Sequence, residues 1–323
     1  MQKNILVTGS HGQLGSELVE RLTGIYGADH IIASDIKPSL SQNNVTHEIL
    51  DVMNADALGN LIKKHNIGQI YHLAATLSAV GEQKPLMAWS LNMQGLLNVL
   101  EVASQQEIEK IFWPSSIGAF GSTTPANNTP QQTIMEPDTV YGISKLAGEG
   151  WCRWYRLNRG LDIRSLRYPG LISHSAPPGG GTTDYAIDIF HAALAGETYV
   201  CPLEPDTALP MMYMPDALRA TLKLMEADLS KVKIPASYNL TAMSFTPAQL
   251  ADEIRAHIPQ FQIIYAPDYR QNIAAHWPNS LDDSAARRDW GWRQEFNLSA
   301  MVADMLEHFR AKSGHRFCAR QNA

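Results

Sequence analysis

The chain has 323 residues, of which 45% are apolar and 18% charged, and carries a formal net charge of −6 at pH 7. That size suits a large domain with a smaller one, and with no basic run there is nothing to attract nucleic acid or an acidic membrane surface. No apolar stretch nears the roughly 18–20 residues of a membrane span, and the first apolar run is too short for a signal peptide. Cys152, Cys201 and Cys318 are widely spaced and form neither a disulfide framework nor a zinc knuckle. A cytoplasmic protein without a metal site is expected.

In chain order, short apolar runs alternate with longer amphipathic segments. Strands are expected at 4–8, 30–34, 46–50, 69–73, 110–115 and 162–168, and helices at about 13–24, 54–65, 83–105 and 140–158. This alternation is the signature of an α/β fold with a doubly wound parallel sheet, buried on both faces. After Pro169 the texture changes. Pro177, Pro178, Pro202, Pro205, Pro210 and Pro215 interrupt the chain, and helices are expected near 184–195, 215–226, 247–257 and 297–312. Thr246, Pro247 and Gln249 form a capping-box start for the third of these. The expected division is a dinucleotide-binding domain over 1–173, with a return segment at about 212–232 after the strand-like MMYM run. A smaller α/β substrate lobe takes 174–211 and 233–323 and sits at the sheet's carboxyl edge, where such sheets bind ligands.

The first strand ends in VTGSHGQLGSEL, with Gly9, Gly12 and Gly15 at G-x-x-G-x-x-G spacing. Glycine is needed where a backbone turns sharply and approaches a pyrophosphate, and the following helix aims its N–H groups at the phosphates. Asp35 closes the second strand twenty positions after Gly15. An acid there accepts hydrogen bonds from the adenosine ribose and repels a 2′-phosphate, which favours NAD over NADP, although nearby Lys37 could blunt the choice. Asp51 and Val52 follow the third strand, placed to meet the adenine. Leu73, Ala74 and Ala75 follow the fourth and are small enough for a cofactor to lie against the backbone.

Tyr141 and Lys145, in YGISK, stand four apart on one helix face. A free tyrosine has a pKa of about 10 and is a poor base at neutral pH; a nearby ammonium favours the phenolate. Ser116, at the end of the fifth strand, can hydrogen-bond a substrate hydroxyl and fix its direction. Ser115 is adjacent and carries the same hydroxyl.

The stretch GGGTTDYA, 179–186, runs into a helical pattern with Ile187, Phe190 and Leu194 on one face. A glycine loop at a helix N-terminus is an anion site, yet it lacks a P-loop lysine, and the cofactor phosphates are already placed at Gly9, Gly12 and Gly15. Thr182 and Thr183 add hydroxyls and Asp184 a negative group. Donors beside one carboxylate suit a zwitterion. The competing reading is a mobile loop with Thr183 as an N-cap.

These motifs resemble the extended short-chain dehydrogenases/reductases over nearly the whole chain, including Asn92 in LNMQGLLNVL and the late SAARRDWGW. The resemblance implies that Ser116, chosen over Ser115 because it aligns five residues ahead of Gly121, orients the hydroxyl, that Tyr141 moves the proton and that Lys145 holds the nicotinamide ribose. It adds Gln13, Leu14, Asn92, Tyr168 and Leu171 to the candidate cofactor contacts. LRYPGLIS, GGGTTDYA, LPMMYMPDALRA, YNLTAMSFTPAQL and HWPNSLDD are similar to the short-chain L-threonine 3-dehydrogenase branch. That branch implies oxidation of the threonine C3 hydroxyl to 2-amino-3-oxobutanoate, with Ser78, Thr182, Thr183 and Asp184 meeting the amino acid. Trp277 either closes over it or packs within the small lobe. The alternative in the same family is a sugar-nucleotide epimerase or dehydratase; a non-catalytic NAD(H) sensor has no use for YGISK. A zinc-dependent alcohol dehydrogenase lacks its Cys/His ligand spacing here. The family commonly forms homodimers through the helices at about 83–105 and 140–158, where Leu91, Leu96, Leu97, Leu100, Trp151 and Trp154 exceed what a sheet-facing stripe needs; buried packing within the monomer is the alternative.

Overall fold

The computed structural model describes residues 3–39, 44–176 and 179–321, with helical side chains to residue 311. Pro177, Pro178 and the Cys318 side chain lie outside this set. The strands are β1 (Asn4–Thr8), β2 (Ile31–Asp35), β3 (Thr46–Ile49), β4 (Ile67–His72), β5 (Lys110–Ser116), β6 (Ile163–Tyr168), β7 (Gly170–Ile172), β8 (Tyr199–Cys201), β9 (Leu209–Tyr213), β10 (Tyr238–Asn239), β11 (Met243–Phe245) and β12 (Ile263–Tyr265). Seven of them form a parallel sheet in the order β10-β6-β5-β4-β1-β2-β3. Strand order reverses between β1 and β4, which opens a crevice at their carboxyl ends.

The helices are α1 (Gln13–Tyr26), α2 (Ala55–Lys64), α3 (Ser78–Gln83), α4 (Pro85–Gln105), α5 (Val140–Arg159), α6 (Tyr185–Ala195), α7 (Met214–Glu226), α8 (Pro247–His257), α9 (Tyr269–Ala274), α10 (Ser284–Trp290) and α11 (Leu298–Gln321). Leu18 and Leu22 of α1 and Ala217 and Leu224 of α7 cover one face of the main sheet. Leu58 of α2, Leu96 and Leu100 of α4 and Tyr155 of α5 cover the other. Burying one such leucine contributes about 1.5–3 kcal/mol, so both faces hold their helices firmly. A third core joins α6, α8 and α11 through Ile187, Phe190, Leu250, Ile254, Met301 and Met305. The α8 capping box is present, with Thr246 Oγ1 accepting from Gln249 N and Gln249 Oε1 accepting from Thr246 N.

Two features depart from the sequence expectation. The helix expected over 83–105 begins at Pro85, and a separate short helix, α3, precedes it; the two are broken at Lys84, whose backbone (φ −136°, ψ 64°) leaves the helical region. The cause is Pro85, since proline crowds the helical conformation of the residue before it. Secondly, Tyr238–Asn239, within the segment assigned to the smaller lobe, adds the outer strand of the main sheet beside Leu166 and Arg167. Trp290 and Trp292 pack on that same side. Two residues carry no readable periodicity, so the return was not visible in the sequence.

Candidate active site

A cavity of about 440 Å³ opens at the carboxyl ends of β1, β4, β5 and β6. One end is the glycine loop. Gly9 has φ +70°, and a Cβ there would stand 2.6 Å from Ala74 N; one at Gly15 would stand 2.2 Å from Gly9 O. Only glycine permits either approach. Gly12 caps α1 without any side-chain hydrogen bond, so the helix's first-turn donors meet no capping side chain. Gly9, Gly12, Gln13, Leu14 and Gly15 line this end, as do Leu73 and Ala75. Gln13 Nε2 is buried without a hydrogen-bond partner. A polar acceptor such as a phosphate oxygen would satisfy it, so these residues fit a dinucleotide.

Other expected cofactor residues stand behind the lining. Asp35 Oδ2 accepts from His11 N at 3.0 Å, which ties the end of β2 to the glycine loop. Ala74 presses its backbone against Gly9. Asn92 accepts from Thr76 N at 2.8 Å and donates to Thr76 O at 3.1 Å, clamping the chain after β4. Asp51 Oδ1 accepts from Met53 N at 2.9 Å, and Val52 is buried in the core under α2 and α4. These five act through the backbone they hold, or sit apart from the cavity.

The middle of the cavity holds Ser116, Tyr141 and Lys145. Thr139 caps α5 by accepting from Gly142 N at 3.0 Å, and this places Tyr141 in the first turn, beside the end of β5. Ser116 Oγ accepts from Gly118 N at 3.1 Å. Ser115 turns the other way and donates to Glu149 Oε1 at 2.6 Å. The hydroxyl beside the tyrosine is therefore that of Ser116. Lys145 Nζ donates to Pro114 O at 2.6 Å and lies 4.7 Å from the Trp113 ring centroid and 5.5 Å from that of Tyr141. Burial pushes Lys145 down to about 8, with the Glu149 carboxylate working against it. Burial pushes the Tyr141 phenol up, opposed by the hydrogen bond with Ser116. Tyr141 is thus raised, not lowered as its neighbour Lys145 led us to expect: burial dominates, and the ammonium is committed to the Pro114 carbonyl.

Glu149 was missed in the sequence. It is buried, stands one turn beyond Lys145, and receives Arg167 Nε and Nη2, both at 2.8 Å, besides Ser115. The signal was present as K-x-x-x-E on one face of α5.

The far wall brings together Ser78, Thr182, Thr183, Asp184 and Trp277. Ser78 Oγ lies 3.1 Å from Thr182 Oγ1. Asp184 Oδ2 accepts from Gly180 N at 2.9 Å and Gly181 N at 2.8 Å, folding the glycine stretch into a tight turn. Burial pushes its carboxyl up, against those two N–H groups. Asp184, not Thr183, is the N-cap of α6. A Cβ on Gly170 would stand 2.7 Å from Thr183 Cγ2, so that glycine lets β7 meet the loop. Trp277 lines the cavity and also packs in the small-lobe core. Tyr168 and Leu171 line the floor, and the Tyr168 hydroxyl bonds Thr221. Leu77, Val80, Pro114 and Ile117 add apolar lining that no motif marked.

A model of the NAD dependent epimerase/dehydratase family matches residues 5–240. An uncharacterized epimerase/dehydratase of Staphylococcus haemolyticus is 45% identical over 318 residues, 97% of this chain and 100% of the relative. A solved partial consensus L-threonine 3-dehydrogenase is 59% identical with TM-score 0.94, covering 95% of this chain and 99% of that one. The holo form of a GalE-like L-threonine dehydrogenase from Cupriavidus necator is 59% identical with TM-score 0.93 over the same shares. With its parallel sheet, glycine loop and serine–tyrosine–lysine set in one crevice, the chain belongs to the NAD dependent epimerase/dehydratase family of extended short-chain dehydrogenases/reductases.

Proposed function

We propose that the protein oxidises the C3 hydroxyl of L-threonine to 2-amino-3-oxobutanoate, with NAD as the hydride acceptor. The observation that carries this reading is the pairing, within one cavity, of Ser116, Tyr141 and Lys145 with the polar wall of Ser78, Thr182 and Thr183. One group handles an alcohol, and the other grips something small and polar. The solved relatives named as threonine dehydrogenases support the same substrate.

Gly9, Gly12, Gly15 and Gln13 would hold the pyrophosphate, and Asp35 stands at the loop where an adenosine ribose would lie. When bound, the nicotinamide supplies the acceptor for the hydride that leaves C3. Ser116 holds the threonine hydroxyl toward Tyr141, whose phenolate oxygen takes the hydroxyl proton as the C3–O bond becomes a carbonyl. Lys145, fixed by the Pro114 carbonyl, keeps a positive charge beside that phenolate. Leu77, Val80 and Trp277 give this part of the cavity an apolar wall. Identification of 2-amino-3-oxobutanoate, or aminoacetone from its decarboxylation, in a mixture of protein, NAD and L-threonine tests the reading. No such product would refute it.

The outer faces of α4 and α5 expose Leu86, Met87, Trp89, Ile143, Trp151, Trp154 and Leu157. Large apolar side chains exposed on two helices that pack together suit an interaction surface, and a homodimer through these helices is part of the proposal. Leu96 and Leu100, expected at that face, instead lie in the chain's own core.

A further inference from the structure

His174, on the segment that leaves β7, meets Asp304 and His308, which stand one turn apart on α11. One ligand atom from each lies within 4.8 Å of the other two. The two imidazoles stack with centroids 3.8 Å apart and planes 25° apart. Tyr213, at the end of β9, joins them: its hydroxyl donates to Asp304 Oδ2 at 2.5 Å and lies 2.6 Å from His174 Nδ1. A phenol has one proton. Given to Asp304, it leaves the oxygen to accept from His174, so His174 is protonated at Nδ1 and carries its lone pair on Nε2. His308 Nδ1 lies 2.9 Å from the Asp304 backbone oxygen, which can only accept, and this fixes the same tautomer. Two imidazoles thus stand beside a carboxylate oriented by a buried phenol. That is the donor set and outer-shell support of a transition-metal site.

We propose that His174, Asp304 and His308 bind a divalent transition-metal ion of the Zn²⁺ class, with water completing the shell. Closing the triad to the roughly 2.0–2.2 Å metal–ligand distances requires the half-exposed His308 to turn out of the stack, because near-parallel rings do not aim their lone pairs at one point. The ion would fasten the start of the 174–184 segment to α11. Nothing in the linear spacing shows this site, because its ligands come from distant parts of the chain.

The test is titration of Co²⁺ into the full-length protein after dialysis against a chelator, read by visible d–d absorption. The expected result is saturation at one ion per chain, with Zn²⁺ displacing the signal. His308→Ala, at a half-exposed position that leaves the fold intact by circular dichroism, should abolish it, as should His174→Ala. Tyr213→Phe should weaken binding about 10–100-fold. His257→Ala, at an exposed histidine elsewhere, should leave it unchanged. Absence of saturable uptake by the wild-type protein, or uptake that survives His308→Ala, would overturn the proposal. The readout involves no turnover, so the threonine reading stands or falls separately.

Discussion

The hydroxyl oxygens of Ser78 and Thr182 lie 3.1 Å apart, joining the first residue of α3 to the glycine loop 104 positions later. Both side chains are buried and both residues line the cavity. If this pair shapes the grip on the amino acid, Ser78→Ala and Thr182→Ala should each raise KM for threonine while NAD affinity holds. In a double-mutant cycle on kcat/KM, the two should couple by about 0.5–1.5 kcal/mol, the net worth of one hydrogen bond. Strict additivity would separate them.

Asp184 has two candidate roles that one pair of variants distinguishes. Its Oδ2 holds the turn through Gly180 and Gly181. Asn in its place keeps an acceptor and loses only the charge. A carboxylate that meets the ammonium predicts a raised threonine KM in Asp184→Asn with the fold unchanged. A purely architectural role predicts near wild-type kinetics for Asn and a loss for Asp184→Ala alone.

Tyr141→Phe should fold, bind NAD and lose about 10²–10⁴-fold in kcat, the usual contribution of a general base. Burial raises the Tyr141 phenol, so its phenolate fraction grows with pH and wild-type kcat should rise from neutral pH toward about 8, where Lys145 begins to lose its charge. Steady-state rates across pH check both points. A flat profile, or a Phe variant within about twofold of wild type, would remove Tyr141 from the chemistry.

Lys145 is held charged inside the protein at a cost. Its pKa falls from an ordinary 10.5 to about 8. Below about 8 the ammonium is present in both folded and unfolded chains, and folding bears its burial, on the order of 3 kcal/mol. Between about 8 and 10.5 the folded protein releases the proton while the unfolded chain retains it, so wild-type stability rises with pH in that window. Lys145→Met removes the charge but leaves the Pro114 carbonyl without its donor, a loss of about 1–3 kcal/mol. Urea unfolding should show the variant inactive, yet at least as stable as wild type at pH 7. Its relative stability should decline through that window; a constant difference would contradict the assignment.

Much of this was legible in the sequence, and the reasons are local. β1, β4 and β5 are apolar runs, and the glycine loop announces itself because no other residue allows Gly9 and Gly15 to approach their neighbours. YGISK placed Tyr141 and Lys145 on one face. What stayed hidden depends on distant contacts. The partner of Asp184 is its own loop backbone, Asn92 braces Thr76, and Glu149 sits beneath Ser115 and Arg167. The three-residue strands β7, β8, β11 and β12 are too short to show an alternating pattern, and each pairs with a strand distant in the sequence.

Asp35→Ala should shift cofactor preference toward NADP, since the acid both binds a ribose diol and repels a 2′-phosphate. It also removes the acceptor for His11 N, so NAD affinity should fall as the loop loosens. The ratio of kcat/KM for the two cofactors reads the first effect, and NAD binding alone the second. An unmoved ratio would place the discrimination elsewhere.

The most direct measurement is NADH formation by the purified protein with L-threonine, L-serine, 3-hydroxybutyrate and UDP-sugars compared at equal concentration. Ser116, Tyr141 and Lys145 facing the Thr182–Thr183 wall predict the highest kcat/KM for L-threonine, lost in Tyr141→Phe. No NADH from L-threonine, with conversion of a UDP-sugar by the same preparation, would contradict it.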